Sequence, residues 1–179
     1  GPNGAGKTTC IKMLLDFVRP SSGSIRINNN SAAMPQSRAF IGYLPENIHI
    51  PGHLSGRTYL RRVAQLRNIA HHDAEKQIDA MLTLTGMREK QRHPAKTYSK
   101  GMTQRIGLAA ALLHSPKMLL LDEPVSGLDP IGIREVRGIL ERLKADKVTV
   151  LLSSHLLSEA EKVCTTAAII NKGKLVLKD

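Results

Sequence analysis

Four apolar residues, Met118, Leu119, Leu120 and Leu121, run straight into two adjacent carboxylates, Asp122 and Glu123, and then into Pro124. No other stretch constrains the fold of this chain more tightly. An apolar run this short, fenced by Pro116 and Pro124, reads as a strand buried on both faces, as in parallel sheets covered by helices. Pro124 has no N–H to give a sheet ladder, so pairing should stop there. The carboxylates then lie at the C-terminal end of a parallel strand, where open α/β sheets bind ligands. The other half of such a site stands at the opposite end of the sequence. Gly1-Pro2-Asn3-Gly4-Ala5-Gly6-Lys7-Thr8 has the G-x-x-x-x-G-K-[ST] spacing of a phosphate-binding loop. Its glycines let backbone N–H groups turn toward phosphates, Lys7 adds a cation at the β/γ position, and the Thr8 hydroxyl suits Mg²⁺. A phosphate loop and an acidic strand end together predict a Mg²⁺–nucleotide site. Asp122 would bind the ion, and Glu123 would take a proton from water attacking the γ-phosphate.

The 179 residues suffice for one domain with a sizeable core, which must be aliphatic because aromatics make up 3% and Trp is absent. Cys10 and Cys164 have neither metal nor redox spacing, which fits a reducing cytosol better than a disulfide framework. No apolar run approaches the ~20 residues that span a bilayer, and no signal peptide is visible. Work at a membrane would need another chain or segment to do the spanning. The net charge, 26 − 15 = +11, admits nucleic acid or an anionic membrane surface as partner. It also suits a nucleotide binder with a solvated basic face, which the scarcity of base-stacking aromatics favours. The loop's first glycine is residue 1, whereas a phosphate loop needs a strand before it. The chain therefore reads as lacking its first strands.

Helical spacing predicts a helix over residues 7–18, with Ile11, Leu14, Leu15 and Val18 on one face. A short strand over 24–28, a polar loop over 28–37 and a strand over 39–44 follow. Glu46 stands just past that strand, either as a helper for Mg²⁺ or the attacking water or as a solvated loop charge. Residues 55–70 form a basic amphipathic helix, whose charged face is plain surface or a docking face. A second helix, N-capped by Asp73, ends near Gly86. No strand signal appears between Pro51 and Pro94, so this region reads as a helical insert between strands. Ser99 caps a helix over 102–113, and Asp129 with Pro130 opens one reaching about Leu143. A β-branched strand over 147–153 ends in Ser153-Ser154-His155, placing His155 at the carboxylate edge for a polar contact to the γ-phosphate. A short helix over 156–163 and a hairpin over 167–177 complete the chain.

These motifs, in this order and spacing, resemble an ABC-type ATPase domain over almost the whole chain. The resemblance implies an α/β P-loop NTPase fold with a mostly parallel sheet, an ATPase core at 1–51 and 96–179, and a helical subdomain at 52–95. It implies nucleotide binding by Gly1, Pro2, Asn3, Gly4, Ala5, Gly6, Lys7, Thr8 and Thr9, and Mg²⁺ held by Thr8, Glu46 and Asp122. Glu123 is the implied catalytic base and His155 the switch histidine. Tyr98, Ser99, Lys100, Gly101 and Met102 would be the signature turn facing the ATP of a second protomer, head to tail. Ser126, Gly127, Leu128 and Asp129 would be the D-loop. Glu46 stands where the family usually has Gln, Tyr98-Ser-Lys-Gly-Met102 replaces Leu-Ser-Gly-Gly-Gln, and Thr165 follows Cys164 where Asp is usual. The wording is most similar to the ATP-binding subunits of bacterial exporters of the multidrug, polysaccharide and gliding-motility kind. That implies a peripheral subunit on the cytoplasmic face of the cell membrane, using ATP and Mg²⁺ to drive a transmembrane permease, with no nucleic acid partner. The alternatives are a soluble ABC-type ATPase acting on nucleic acid or the ribosome, and an inactive fragment of a transporter ATPase.

Overall fold

The computed structural model describes residues 1–178. Its centre is strand β4 (Met118–Asp122), paired in parallel with β3 (Ile41–Leu44) on one side and β5 (Thr149–Ser153) on the other. Leu119, Leu120 and Leu121 are fully buried, each contributing roughly 1.5–3 kcal/mol by leaving water. Successive side chains of a strand point to opposite faces, and the packing follows. Leu120 joins Ile11 and Leu15 of the α1 (Lys7–Leu14) region. Leu119 and Leu121 join Leu108 and Leu112 of α5 (Lys100–Leu112) and Val136, Ile139 and Leu140 of α6 (Pro130–Ala145). Helices on both faces are what an unbroken apolar strand requires.

Between β3 and β4 the chain is helical, as its pattern predicts. Helix α3 (Gly56–Leu66) and helix α4 (His71–Leu84) build an aliphatic cluster from Leu60, Ala64, Ile78 and Leu82. Ile106, Ala109 and Leu113 close it. The α5 region therefore has two buried faces, one against the sheet and one against this helical segment. Of the basic residues on α3 and its C-cap, Arg57 pairs with Glu75 and Asp79 and Arg61 with Glu75, while Arg62 and the C-cap Arg67 face solvent.

Several local expectations shift. Helix α1 ends at Leu14 because Asp16 turns left-handed (φ 59°), so Val18 is exposed rather than inward. Residues 28–37 are not a plain loop. Asn28 and Asn29, at φ 49° and 64°, make a tight hairpin turn between β1 (Arg26–Ile27) and β2 (Asn30–Ser31), and the short α2 (Pro35–Arg38) follows. Helix α4 starts at His71 with Ala70 at its N-cap. Asp73 lies inside the first turn, where its charge favours the helix N-terminus without capping it. Helix α5 starts two residues before expected, with the Ser99 hydroxyl accepting from the Met102 N–H. Asp129 caps α6 as anticipated, its Oδ1 accepting from the Gly132 N–H at 2.9 Å. Beyond α7 (Leu157–Glu161), Lys172 and Gly173, both at positive φ, turn β6 (Ala168–Asn171) into β7 (Lys174–Lys178).

One glycine sets the spacing between α5 and the sheet. A Cβ at Gly42 would land on the Ala111 carbonyl oxygen and press on Leu119. The obstacle is backbone, which no rotamer change relieves. Gly42→Ala is expected to lower unfolding free energy by about 1–3 kcal/mol. The check is urea denaturation, and an unchanged midpoint would show that α5 shifts freely off β3.

Candidate functional site

The phosphate loop closes through Gly4 and Gly6, at φ 74° and 107°, conformations that strain any L side chain. Helix α1 begins at the next residue, so its unpaired N–H groups and partial positive charge face the loop. Gly1 fits between the ends of β5 and β6, where a Cβ would strike the Ile170 carbonyl oxygen. The Gly173 N–H donates to the Ala5 carbonyl at 2.9 Å, so the β6–β7 turn props the loop from outside. No sequence signal marked that contact.

Over the loop opens a polar pocket of about 240 Å³, lined by Asn3, Gly4, Ala5, Gly6, Lys7, Thr8, Thr9, Glu46 and Glu123. Residues far apart in the sequence, from the phosphate loop to Glu46 and Glu123, thus share one cavity. Lys7 Nζ donates to the carbonyls of Gly1 and Pro2 at 2.8 and 3.1 Å and lies 3.2 Å from Glu123 Oε1. Beneath it, the Thr8 hydroxyl donates to Asp122 Oδ1 at 3.0 Å, and so does the Ser153 hydroxyl, at 2.6 Å. Asp122 and Glu123 are both buried, at 1% and 6% exposure. Glu123 leaves the strand in the left-handed region (φ 50°), which aims its carboxylate at Lys7 and His155. Its Oε2 accepts from the His155 N–H at 3.3 Å and lies 2.7 Å from His155 Nδ1. His155 thus meets the carboxylate directly, a contact closer to hand than the expected one to phosphate. Sequence reasoning passed over Ser153, although the Ser153-Ser154-His155 run at the strand end was visible.

Burial pushes the Glu123 carboxyl up, but hydrogen bonds from His155 and the Lys7 ammonium 3.2 Å away outweigh it and hold the group below its ordinary value. A carboxyl with a lower pKa folded than unfolded binds fewer protons in the folded state, so stability rises with pH through that window. Glu123's contribution is present above the ordinary glutamate range and fades as pH drops through the folded value. Thermal melting between pH 3 and 7 should show a shallower acid-side loss for Glu123→Gln than for the wild type, and parallel curves would count against the ion contacts.

The donors present fit a Mg²⁺–nucleotide. Glu123 Oε1 is a buried oxygen without an aligned hydrogen-bond donor, with the Lys7 ammonium 3.2 Å away. The hydrogen bonds to Asp122 among the described residues fall on Oδ1. Thr8, Asp122 and Glu46 are hard oxygen donors. Mg²⁺ takes one or two carboxylates and completes its shell with water and phosphate.

Tyr98, Ser99, Lys100, Gly101 and Met102 do not line this pocket. Tyr98 turns into the helical segment, its hydroxyl accepting from the Gly56 N–H and donating to the Lys90 carbonyl, both at 3.0 Å. Met102 packs beside it. That leaves Ser99 and Lys100 exposed with Gly101 at the tip, against Gly127 and Leu128 of the Ser126–Asp129 turn.

The family model described as ABC transporter matches residues 1–126, well over half of the chain. The chain belongs to the ABC transporter family. It is 43% identical over 179 residues to YhcH of Bacillus subtilis (strain 168), an ABC transporter ATP-binding protein, with 98% of this chain and 58% of that protein covered. It is 38% identical over 178 residues to the lantibiotic transport ATP-binding protein SrtF of Streptococcus pyogenes, covering 99% of this chain and 76% of that protein. A solved ATP-binding subunit of an ABC transporter superposes with TM-score 0.86 at 30% identity, covering 100% of this chain and 75% of that one. The fold is therefore that of an ABC ATPase domain. The chain spans 58% and 53% of the first two curated relatives it matches.

Proposed function

We propose that this chain is the ATP-binding and ATP-hydrolysing part of a bacterial ABC exporter, driving a substrate through a partner transmembrane subunit. The observation that carries this reading is the convergence of Lys7, Thr8, Glu46, Asp122, Glu123 and His155 on and beneath one polar pocket. The loop N–H groups and Lys7 hold the phosphates. Thr8 and Asp122 hold Mg²⁺, with Glu46 at the pocket wall as a further ligand. Bound there, Mg²⁺ neutralises phosphate charge. Glu123 orients the attacking water and takes its proton, and His155 fixes the carboxylate's aim.

The same reading takes residues 1–51 and 96–179 as the ATPase core and 52–95 as a helical subdomain that meets the permease. The relative's role in lantibiotic transport supports export, and among the described residues no helix is long and apolar enough to cross a membrane. We place the protein peripherally on the cytoplasmic face, with no nucleic acid partner. Two protomers pack head to tail, so that Ser99, Lys100 and Gly101 of one face the phosphate loop of the other and the Ser126–Asp129 turns meet between them. Mg²⁺-dependent release of phosphate from ATP by the full-length protein, beside its Glu123→Gln variant, tests the reading. Absence of ATP binding by the wild type would overturn it.

A further inference from the structure

We propose that Ser153 is a positioning residue that sets, through one hydroxyl, both the metal-binding carboxylate of Asp122 and the backbone from which Glu123 departs. Strand pairing puts Ser153 directly opposite Asp122, at the last rung of the parallel ladder. Ser153 is buried, at 6% exposure. Its Oγ donates to Asp122 Oδ1 at 2.6 Å and accepts from the Glu123 N–H at 3.0 Å. Neither direction can reverse, because an ionised carboxylate only accepts and a backbone N–H only donates. The hydroxyl rotor is therefore locked between two groups that are adjacent in sequence and differ in chemistry.

Two consequences separate this contact from ordinary packing. The Thr8 and Ser153 hydroxyls both donate to Oδ1, which fixes the plane of the Asp122 carboxylate. Groups one bond removed from a ligand typically change metal affinity 10- to 100-fold. Glu123 meanwhile holds a left-handed backbone that a glutamate adopts only under restraint. Its N–H is pinned by Ser153 twice, through Oγ and through the carbonyl at 3.2 Å. Without the hydroxyl only the longer bond remains, and the direction of the base is free to drift.

The inference rests on the reading of the pocket as a Mg²⁺–ATP site. In the full-length protein, ATP affinity is measured by calorimetry with and without Mg²⁺, together with steady-state hydrolysis. Ser153→Ala is expected to bind ATP normally without Mg²⁺. The Mg²⁺ concentration needed for half-maximal effect should rise about tenfold, and kcat should fall more than KM changes. Ser153→Cys keeps the volume but is a weak hydrogen-bond partner, and should behave like the alanine variant. Ser153→Thr, which returns a hydroxyl, should recover the Mg²⁺ dependence. A wild-type Mg²⁺ dependence in Ser153→Ala, or in Ser153→Cys beside a defective Ser153→Ala, would reduce Ser153 to packing. Wild-type protein that binds no Mg²⁺–ATP would bring down the pocket reading itself, an outcome distinct from normal wild-type binding with indifferent variants.

Discussion

Glu123→Gln is expected to lower Mg²⁺-dependent ATP hydrolysis by about 10²–10⁴-fold, the range a positioned general base contributes, while ATP binding persists. Glutamine keeps the shape and one acceptor oxygen, so the His155 N–H retains a partner. It loses the ability to accept a proton from water. It also releases Lys7, which lies 3.2 Å from the carboxylate in this structure. A lysine freed from its carboxylate has more to give a phosphate, so affinity for ATP should hold or improve. On the proposed head-to-tail arrangement, a variant that binds but does not hydrolyse should accumulate as an ATP-bound dimer. Phosphate release and sizing in the presence of ATP check both halves, and a variant turning over at the wild-type rate would remove Glu123 from the role of base.

Lys7→Ala should weaken ATP binding about 10- to 100-fold. A hydrogen bond to a charged group contributes ~1.5–3 kcal/mol, and 1.4 kcal/mol is tenfold in affinity. The loss has a second source in this site. Lys7 is the cation facing the buried Glu123 carboxylate from the loop, and without it that negative charge faces the incoming phosphates uncompensated. Adding Glu123→Gln to Lys7→Ala should therefore recover part of the lost affinity. The two substitutions would be non-additive, as expected for residues in contact. Calorimetric titration of the four proteins gives the cycle. Unchanged affinity in Lys7→Ala would mean that the loop does not cradle phosphate.

The central strand, the helical segment between strands and the capping of α6 by Asp129 were legible because each is written in local pattern. Apolar continuity, helical spacing and a cap next to proline act over a few residues. Legibility fails where distant residues decide. Apolar spacing extended α1 to Val18, but the left-handed turn at Asp16 brings Phe17 edge-on to Tyr43, with ring centroids 6.1 Å apart. Asp73 has the chemistry of an N-cap, yet α4 starts at His71 with Ala70 as its cap and absorbs it. Tyr98 sits within a motif that suggests ligand contact, and its hydroxyl is instead used to tie the ends of the helical segment. Ser153 was hidden for a related reason. Its partners lie about thirty residues away, and only the strand register brings its hydroxyl between Asp122 and Glu123. The phosphate loop and the acidic pair were readable as separate motifs, but the Lys7–Glu123 contact that joins them was not.

Helix α5 is gripped on two sides, by Leu108 and Leu112 against the sheet and by Ile106 and Ala109 against the helical segment. A helix of 13 residues held this way is a rod about 20 Å long with no slack along it. Its near end carries Ser99, Lys100 and Gly101. On the proposed function, motion of the helical segment would therefore reach that tip through one rigid helix. The far end of the same rod is pressed to β3, where the Ala111 carbonyl leaves room for no more than a hydrogen atom at Gly42.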